Sequence, residues 1–262
     1  MVWCQSRRYS NLSLLHQQYH IECVSACRAR NGKGLLDVNY WRGTLNPRPT
    51  VDWYLDKVQK AIAQAVESSG EESNVTLLCH SAGGWLGRLY LNDYDRSKIT
   101  RFVSLGSPHL PPPAGVIDQT RGILTFIDRT CPHAFHDEIQ YITIAGKFLK
   151  GSTLLGKTGT FSERLVGAGY KQVCGSADVW GDGVVPLPSA HLQGAINITL
   201  DDVYHSPLGA SRLSEDELAS YTTSYMDSDD YDDDKIFVKP SSKHRRWYGC
   251  PSVLSTWVEY IG

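Results

Sequence analysis

Val75-Thr76-Leu77-Leu78-Cys79-His80-Ser81-Ala82-Gly83-Gly84 is an apolar run that stops at a serine and continues into small residues. Its first half predicts a short buried strand, about residues 74–79, and residues 82–92 read as a helix, so Ser81 falls on a sharp strand-to-helix turn. That is a near match to the G-x-S-x-G pattern, in which a strained turn lifts a serine hydroxyl above the edge of a sheet. Small residues two before and two after the serine let strand and helix pass closely. Gly83 satisfies the second position, and Cys79 replaces the first glycine with a larger but still compact side chain. The alternative is a serine that only caps a helix.

A serine on such a turn needs a base and an acid, each following a later strand, in the chain order serine, acid, histidine. Further strands are expected at 101–105, 139–145 and 196–200. Asp182 lies in Trp180-Gly181-Asp182-Gly183-Val184-Val185-Pro186, where the flanking glycines permit a loop that aims the carboxylate at the sheet edge. His205 lies in Val203-Tyr204-His205-Ser206-Pro207, a few residues beyond the last strand. Read separately, Asp182 is also a turn-forming Asp-Gly and His205 a surface histidine; order and strand context join them to Ser81. Asp178, Asp201 and Asp202 are the poorer acids. His109, in Gly106-Ser107-Pro108-His109, ends a strand on the same edge, and His80 adjoins the serine. Both are expected as substrate-pocket residues, with a structural role as the stronger alternative for His80.

Outward from this centre, residues 8–19 read as a helix and 20–26 as a strand. Gly32 and Gly34 break the chain, Tyr40 and Trp41 make an aromatic turn, and Pro47 and Pro49 precede a helix over 51–67 with Trp53, Leu55, Val58, Ile62 and Val66 on its apolar face. A closing helix is expected over 251–260. Alternating elements of this kind predict an α/β fold, a mostly parallel sheet with helices on both faces, in one domain spanning 1–262. Six aspartates crowd residues 227–234. The surrounding segment, about 226–235, is expected to be a mobile solvated insertion, because its like charges repel one another; a calcium site is the weaker alternative, since the glycine and terminal glutamate spacing of a hand-type loop is lacking.

Composition narrows the classes. The 262 residues are 41% hydrophobic and 10% aromatic, enough to bury a core. Twenty-six basic and 28 acidic side chains leave a net charge of -2, too little for a general field that would attract nucleic acid. No apolar run reaches the ~18 residues of a membrane-spanning helix. Seven cysteines at scattered spacings suggest neither a complete disulfide set nor a zinc site, and a reducing intracellular compartment, plastid or cytoplasm, is expected. The acid-free first 21 residues have the composition of a transit segment, but an amphipathic helix belonging to the fold reads better. Of the sequons at Asn11, Asn74 and Asn197, two open strands expected to be buried.

Taken together, the chain resembles the α/β-hydrolase superfamily. Within it, the resemblance is to the lipase and esterase-like plant and cyanobacterial proteins described as glycosylphosphatidylinositol inositol-deacylase-like. The stretches that carry it are 37–55, 78–86, 103–109, 181–186, 194–207 and 247–249. The resemblance implies Ser81 as nucleophile, Asp182 as acid, His205 as base and the Ala82 backbone N–H as one oxyanion donor. It implies a carboxylic ester or lipid substrate, an acyl-enzyme, and no metal or organic cofactor; the oligomeric state is left open. One departure stands out. The superfamily places a central strand and a Gly-containing loop ahead of the first helix, and residues 1–7 look too short and too polar for both, so the fold is expected to lack an early central strand. A catalytically weak or silent scaffold that binds a ligand or partner, or an enzyme incomplete at its amino end, is the rival reading.

Overall fold

The computed structural model describes residues 2–5, 22–25, 45–116, 118–155, 159–206 and 246–261. Six strands form one sheet: β1 (Val2–Gln5), β2 (Glu22–Ser25), β3 (Val75–His80), β4 (Ile99–Leu105), β5 (Gln140–Lys147) and β6 (Ile196–Asp201). Their spatial order is β2-β1-β3-β4-β5-β6, and every neighbouring pair is parallel. The expectation of a missing early central strand is therefore overturned. Residues 2–5 are that strand, pairing Trp3 with Cys23 on one side and with Leu78 on the other. Four residues suffice because a strand flanked on both sides draws its stability from two ladders rather than from its own length.

Period-two alternation sends the strand side chains to two cores. Leu77, Phe102 and Tyr141 join one cluster, with Tyr54, Leu55, Val58 and Leu89 from the helices that cover that face. Leu78, Val103 and Ile142 join the other, capped by Tyr248, Leu254 and Trp257. The covering helices are α1 (Asp52–Ser69), α2 (Ala82–Asp93), α3 (Ile123–Thr130), α4 (Phe161–Cys174) and α5 (Pro251–Trp257). Helix α1 buries Tyr54, Leu55, Val58, Ala61, Ile62 and Ala65, a stripe rotated slightly from the expected one, since Trp53 and Val66 are only half-buried. It stops at Gly70, whose φ of 96° lets its N–H close onto the Val66 carbonyl.

Helices α3 and α4 escaped the reading of the sequence. Helix α4 has a reciprocal capping box, the Thr160 hydroxyl accepting from the Glu163 N–H while the Glu163 carboxylate accepts from the Thr160 N–H. Its residues are short of apolar side chains on a single stripe, so periodicity did not reveal it. Of the two sequon strands, β3 is buried throughout as expected, although Asn74 just before it is exposed, whereas the expected burial of the second is corrected: β6 is an outer strand of the sheet with only exposed and half-buried positions. The helix expected over 8–19, the sequon at Asn11 and the acidic segment 226–235 lie outside the described residues.

The crossing of β3 and α2 explains the Cys79 departure. A Cβ at Gly87 would stand 2.7 Å from the Cys79 sulfur and 2.9 Å from the Phe102 ring, so a glycine one turn into the helix makes room for the larger strand residue. Gly87→Ala should cost about 1–3 kcal/mol through overpacking, and Cys79→Ala in the same chain should recover part of it. Urea unfolding of the four proteins in a double-mutant cycle measures the coupling, and strict additivity would contradict this packing account.

Candidate active site

Strand β3 ends at His80, and Ser81 turns the chain into α2 at φ 56°, ψ -126°. A left-handed, β-like backbone at a residue with a Cβ costs on the order of 1–3 kcal/mol and persists only where neighbours enforce it. Here the Ser81 N–H donates to the Leu105 carbonyl at 3.0 Å, and the Ser81 carbonyl accepts from the Gly84 N–H at 3.0 Å. Gly84 lies so near β4's end that a Cβ would fall 2.3 Å from the Ser107 Cβ. The turn projects the serine side chain past the carboxyl edge, and Ala82 opens the helix, where first-turn N–H groups have no intrahelical acceptor.

The structure brings Asp182 and His205 to that serine. His205 Nδ1 lies 2.7 Å from Asp182 Oδ2, and His205 Nε2 lies 3.0 Å from Ser81 Oγ. With Nδ1–H donating to the carboxylate, Nε2 is left as the acceptor facing the serine hydroxyl. Asp182 is 1% exposed. Its Oδ1 accepts from the Val184 and Val185 N–H groups at 3.0 and 2.7 Å, and Oδ2 also accepts from the Tyr248 hydroxyl at 2.9 Å. The same Tyr248 oxygen accepts from the Gly146 N–H at 2.8 Å. Gly183, at φ 94°, supplies the turn that the loop needs, and its N–H donates to Tyr170. The alternative acids are elsewhere: Asp178 pairs with Lys150 and Asp201 with Lys147, all on the surface.

His80 and His109 do not line the site, which corrects their expected role in binding substrate. Both are fully buried. His80 Nε2–H donates to the His205 backbone carbonyl at 2.8 Å, and the two rings lie 4.9 Å apart. Since the His205 N–H donates to the Asp182 carbonyl at 3.0 Å, His205 is held through both its backbone groups. His109 Nε2 bonds Ser104 Oγ at 2.8 Å, and the His109 carbonyl accepts from buried Arg88. Burial, with His205 nearby, lowers the His80 pKa to about 3. Burial and the Arg88 charge push His109 well below the usual imidazole value as well.

Ser81 and Ala82 open onto a cavity of about 590 Å³, walled by α4 on one side and by Trp85, Pro108, Leu110 and Leu124 on the other. That lies within the ~300–1,000 Å³ of small-molecule sites. Among the described residues there is no cluster of three or more potential metal ligands. No described helix is long and apolar enough to cross a membrane.

Residues 50–180, half of the chain, match the family described as the PGAP1-like alpha/beta domain. The chain belongs to that family. An 84-residue stretch is 38% identical to a protein of Yarrowia lipolytica (strain CLIB 122 / E 150) whose name assigns it as a GPI inositol-deacylase C. The match takes in 30% of this chain and only 10% of that relative's length. Among solved structures, the Bacillus licheniformis lipase BlEst2 in mature form superposes with a TM-score of 0.48 at 16% identity, covering 78% of this chain and 83% of the lipase. The product of lin2722 from Listeria innocua superposes at 0.38, also 16% identical, covering 70% and 68%. In this member of the PGAP1-like family, Tyr248, Gly106 and Gly146 were not foreseen as part of the site. A Cβ at Gly106 would fall 2.5 Å from Asp182 Oδ2, and one at Gly146 would fall 3.0 Å from the Asp182 Cβ. Glycines directly after β4 and near the end of β5 are the signal that could have found the carboxylate's pocket.

The buried histidines make stability depend on pH in a definite direction. Unfolded, each takes a proton near pH ~6.5, whereas His80 in the fold stays neutral to about 3. Between these values the unfolded chain holds more protons. Stability is therefore full above ~6.5 and falls with decreasing pH by about 1.4 kcal/mol per unit for each histidine. Urea unfolding at pH 7, 6 and 5 should show this slope, and His80→Gln, which can still donate to the His205 carbonyl, should remove about one proton's share. An unchanged slope in His80→Gln would contradict the assignment.

Proposed function

We propose that this chain is a serine hydrolase that cleaves carboxylic esters through an acyl-enzyme on Ser81. The observation that carries the reading is the unbroken line Asp182–His205–Ser81, with contacts of 2.7 and 3.0 Å, ending at the mouth of an apolar cavity. In this reading the Ser81 oxygen attacks the ester carbonyl carbon as His205 Nε2 takes the hydroxyl proton. Asp182 stabilises the imidazolium and holds the tautomer. The carbonyl oxygen, now anionic, accepts from the Ala82 N–H. Collapse expels the alcohol, which receives the proton from His205, and water repeats the sequence to release the acid.

A second oxyanion donor is expected beside the Ala82 N–H. In this fold that donor comes from the loop after the strand beside β3, and β1 is that strand, with Cys4 in register with Cys79. The name of the Yarrowia relative supports an acyl group esterified to the inositol of a lipid anchor as the physiological substrate. β1 supplies the strand that was expected to be missing; the Gly-containing loop, on which the silent-scaffold reading rested, would lie outside the described residues.

A fluorophosphonate probe should label Ser81 alone, and Ser81→Ala should abolish both labelling and hydrolysis of p-nitrophenyl butyrate. Asp182→Asn should lower turnover by about 10⁴ while leaving the melting curve cooperative, since the histidine would then settle in the wrong tautomer. Labelling that survives Ser81→Ala, or full turnover in Asp182→Asn, would overturn the reading.

A further inference from the structure

Helix α4 contains two interior glycines, Gly167 and Gly169, and only the first is explained by packing. A Cβ at Gly167 would fall 2.1 Å from the Ser152 carbonyl oxygen, so the loop before the helix can approach only a glycine. Gly169 has no such neighbour: a Cβ there would meet none of the described atoms within 4 Å. Nor is it a turn residue, since it sits inside Phe161–Cys174 and lacks the positive φ shown by the helix's cap at Gly175. Glycine is the poorest helix former after proline, so an unforced one in a helix interior is a cost without a local return.

The space beside Gly169 is the cavity that begins at Ser81. Leu165, Val166, Gly169, Gln172 and Val173 present one face of α4 to it, and Trp85 and Leu124 are on the facing wall. Any larger residue at 169 would put its side chain into this lumen. We propose that Gly169 is a specificity-determining residue: its missing side chain keeps open the room in which the aliphatic acyl chain of the ester lies. The assignment rests on the ester-hydrolase reading for its catalytic consequence. The apolar wall and its continuity with Ser81 favour an acyl chain as the occupant.

The test is a graded series, Gly169→Ala, Gly169→Leu and Gly169→Phe, assayed on p-nitrophenyl acetate and p-nitrophenyl octanoate. The octanoate-to-acetate ratio of kcat/KM should fall stepwise, by at least tenfold for phenylalanine, while the alanine protein melts no lower than the parent because alanine is the better helix former. Gly169→Ala keeps the series readable if the phenylalanine protein does not fold. A parallel arm titrates 11-(dansylamino)undecanoic acid into Ser81→Ala protein with and without Gly169→Phe, and affinity should drop at least tenfold. If the parent hydrolyses neither ester, the hydrolase reading fails and the dansyl arm alone decides the cavity assignment. A ratio constant across the series, undiminished dansyl-fatty-acid binding, or a loss that follows alkyl length in butyrate esters of different alcohols would each overturn the proposal.

Discussion

A carboxylate with 1% of its surface exposed must find its hydrogen bonds within the protein, and Asp182 accepts four: two backbone N–H groups, the Tyr248 hydroxyl and the His205 ring. Much of the site follows from satisfying that one group. The Val184 and Val185 amides fold the loop around it. Tyr248, delivered from just before the last helix, ties the acid to the Gly146 amide near the end of β5. An unpaired buried charge would cost several kcal/mol, so removing any donor is felt at the histidine. In the proposed mechanism the charge would also stabilise the imidazolium that His205 becomes on taking a proton, so a burial cost would serve the chemistry.

A second constraint is backbone strain at Ser81. Its positive φ is enforced by bonds to Leu105 and Gly84 and by glycines at 84 and 87, where the helix presses against β4 and β3. Strand, turn and helix thus act as one rigid unit that presents the hydroxyl. His80, the residue before the turn, anchors the His205 carbonyl from beneath, so serine and base share a support. Such rigidity holds the 3.0 Å contact between Ser81 and His205.

The strand–turn–helix at 75–93 was legible because it is a local pattern, and Ser81, Asp182 and His205 could be read in order because each follows a strand that is itself visible along the chain. Strands β2 to β6 were placed to within about two residues, in keeping with the usual precision of strand boundaries. Three things were hidden, each for a physical reason. Strand β1 is only four residues long, too short for a period-two pattern to show, and its stability comes from two neighbours that are distant in sequence. Tyr248 reaches Asp182 across 66 residues, a contact that no local pattern encodes. His109 was expected in the pocket because it follows a strand on the same edge, and His80, beside Ser81, was read more readily as structural; both side chains are buried.

In the proposed mechanism Ser81 carries the acyl group between the two halves of the reaction. Intact-protein mass spectrometry on samples quenched in acid during turnover of p-nitrophenyl butyrate measures this directly. A species heavier by one butyryl group is expected, mapped by fragmentation to the peptide that contains Ser81 and absent from Ser81→Ala. A butyryl group on any other residue of a turning-over enzyme, or undiminished hydrolysis by Ser81→Ala, would contradict it.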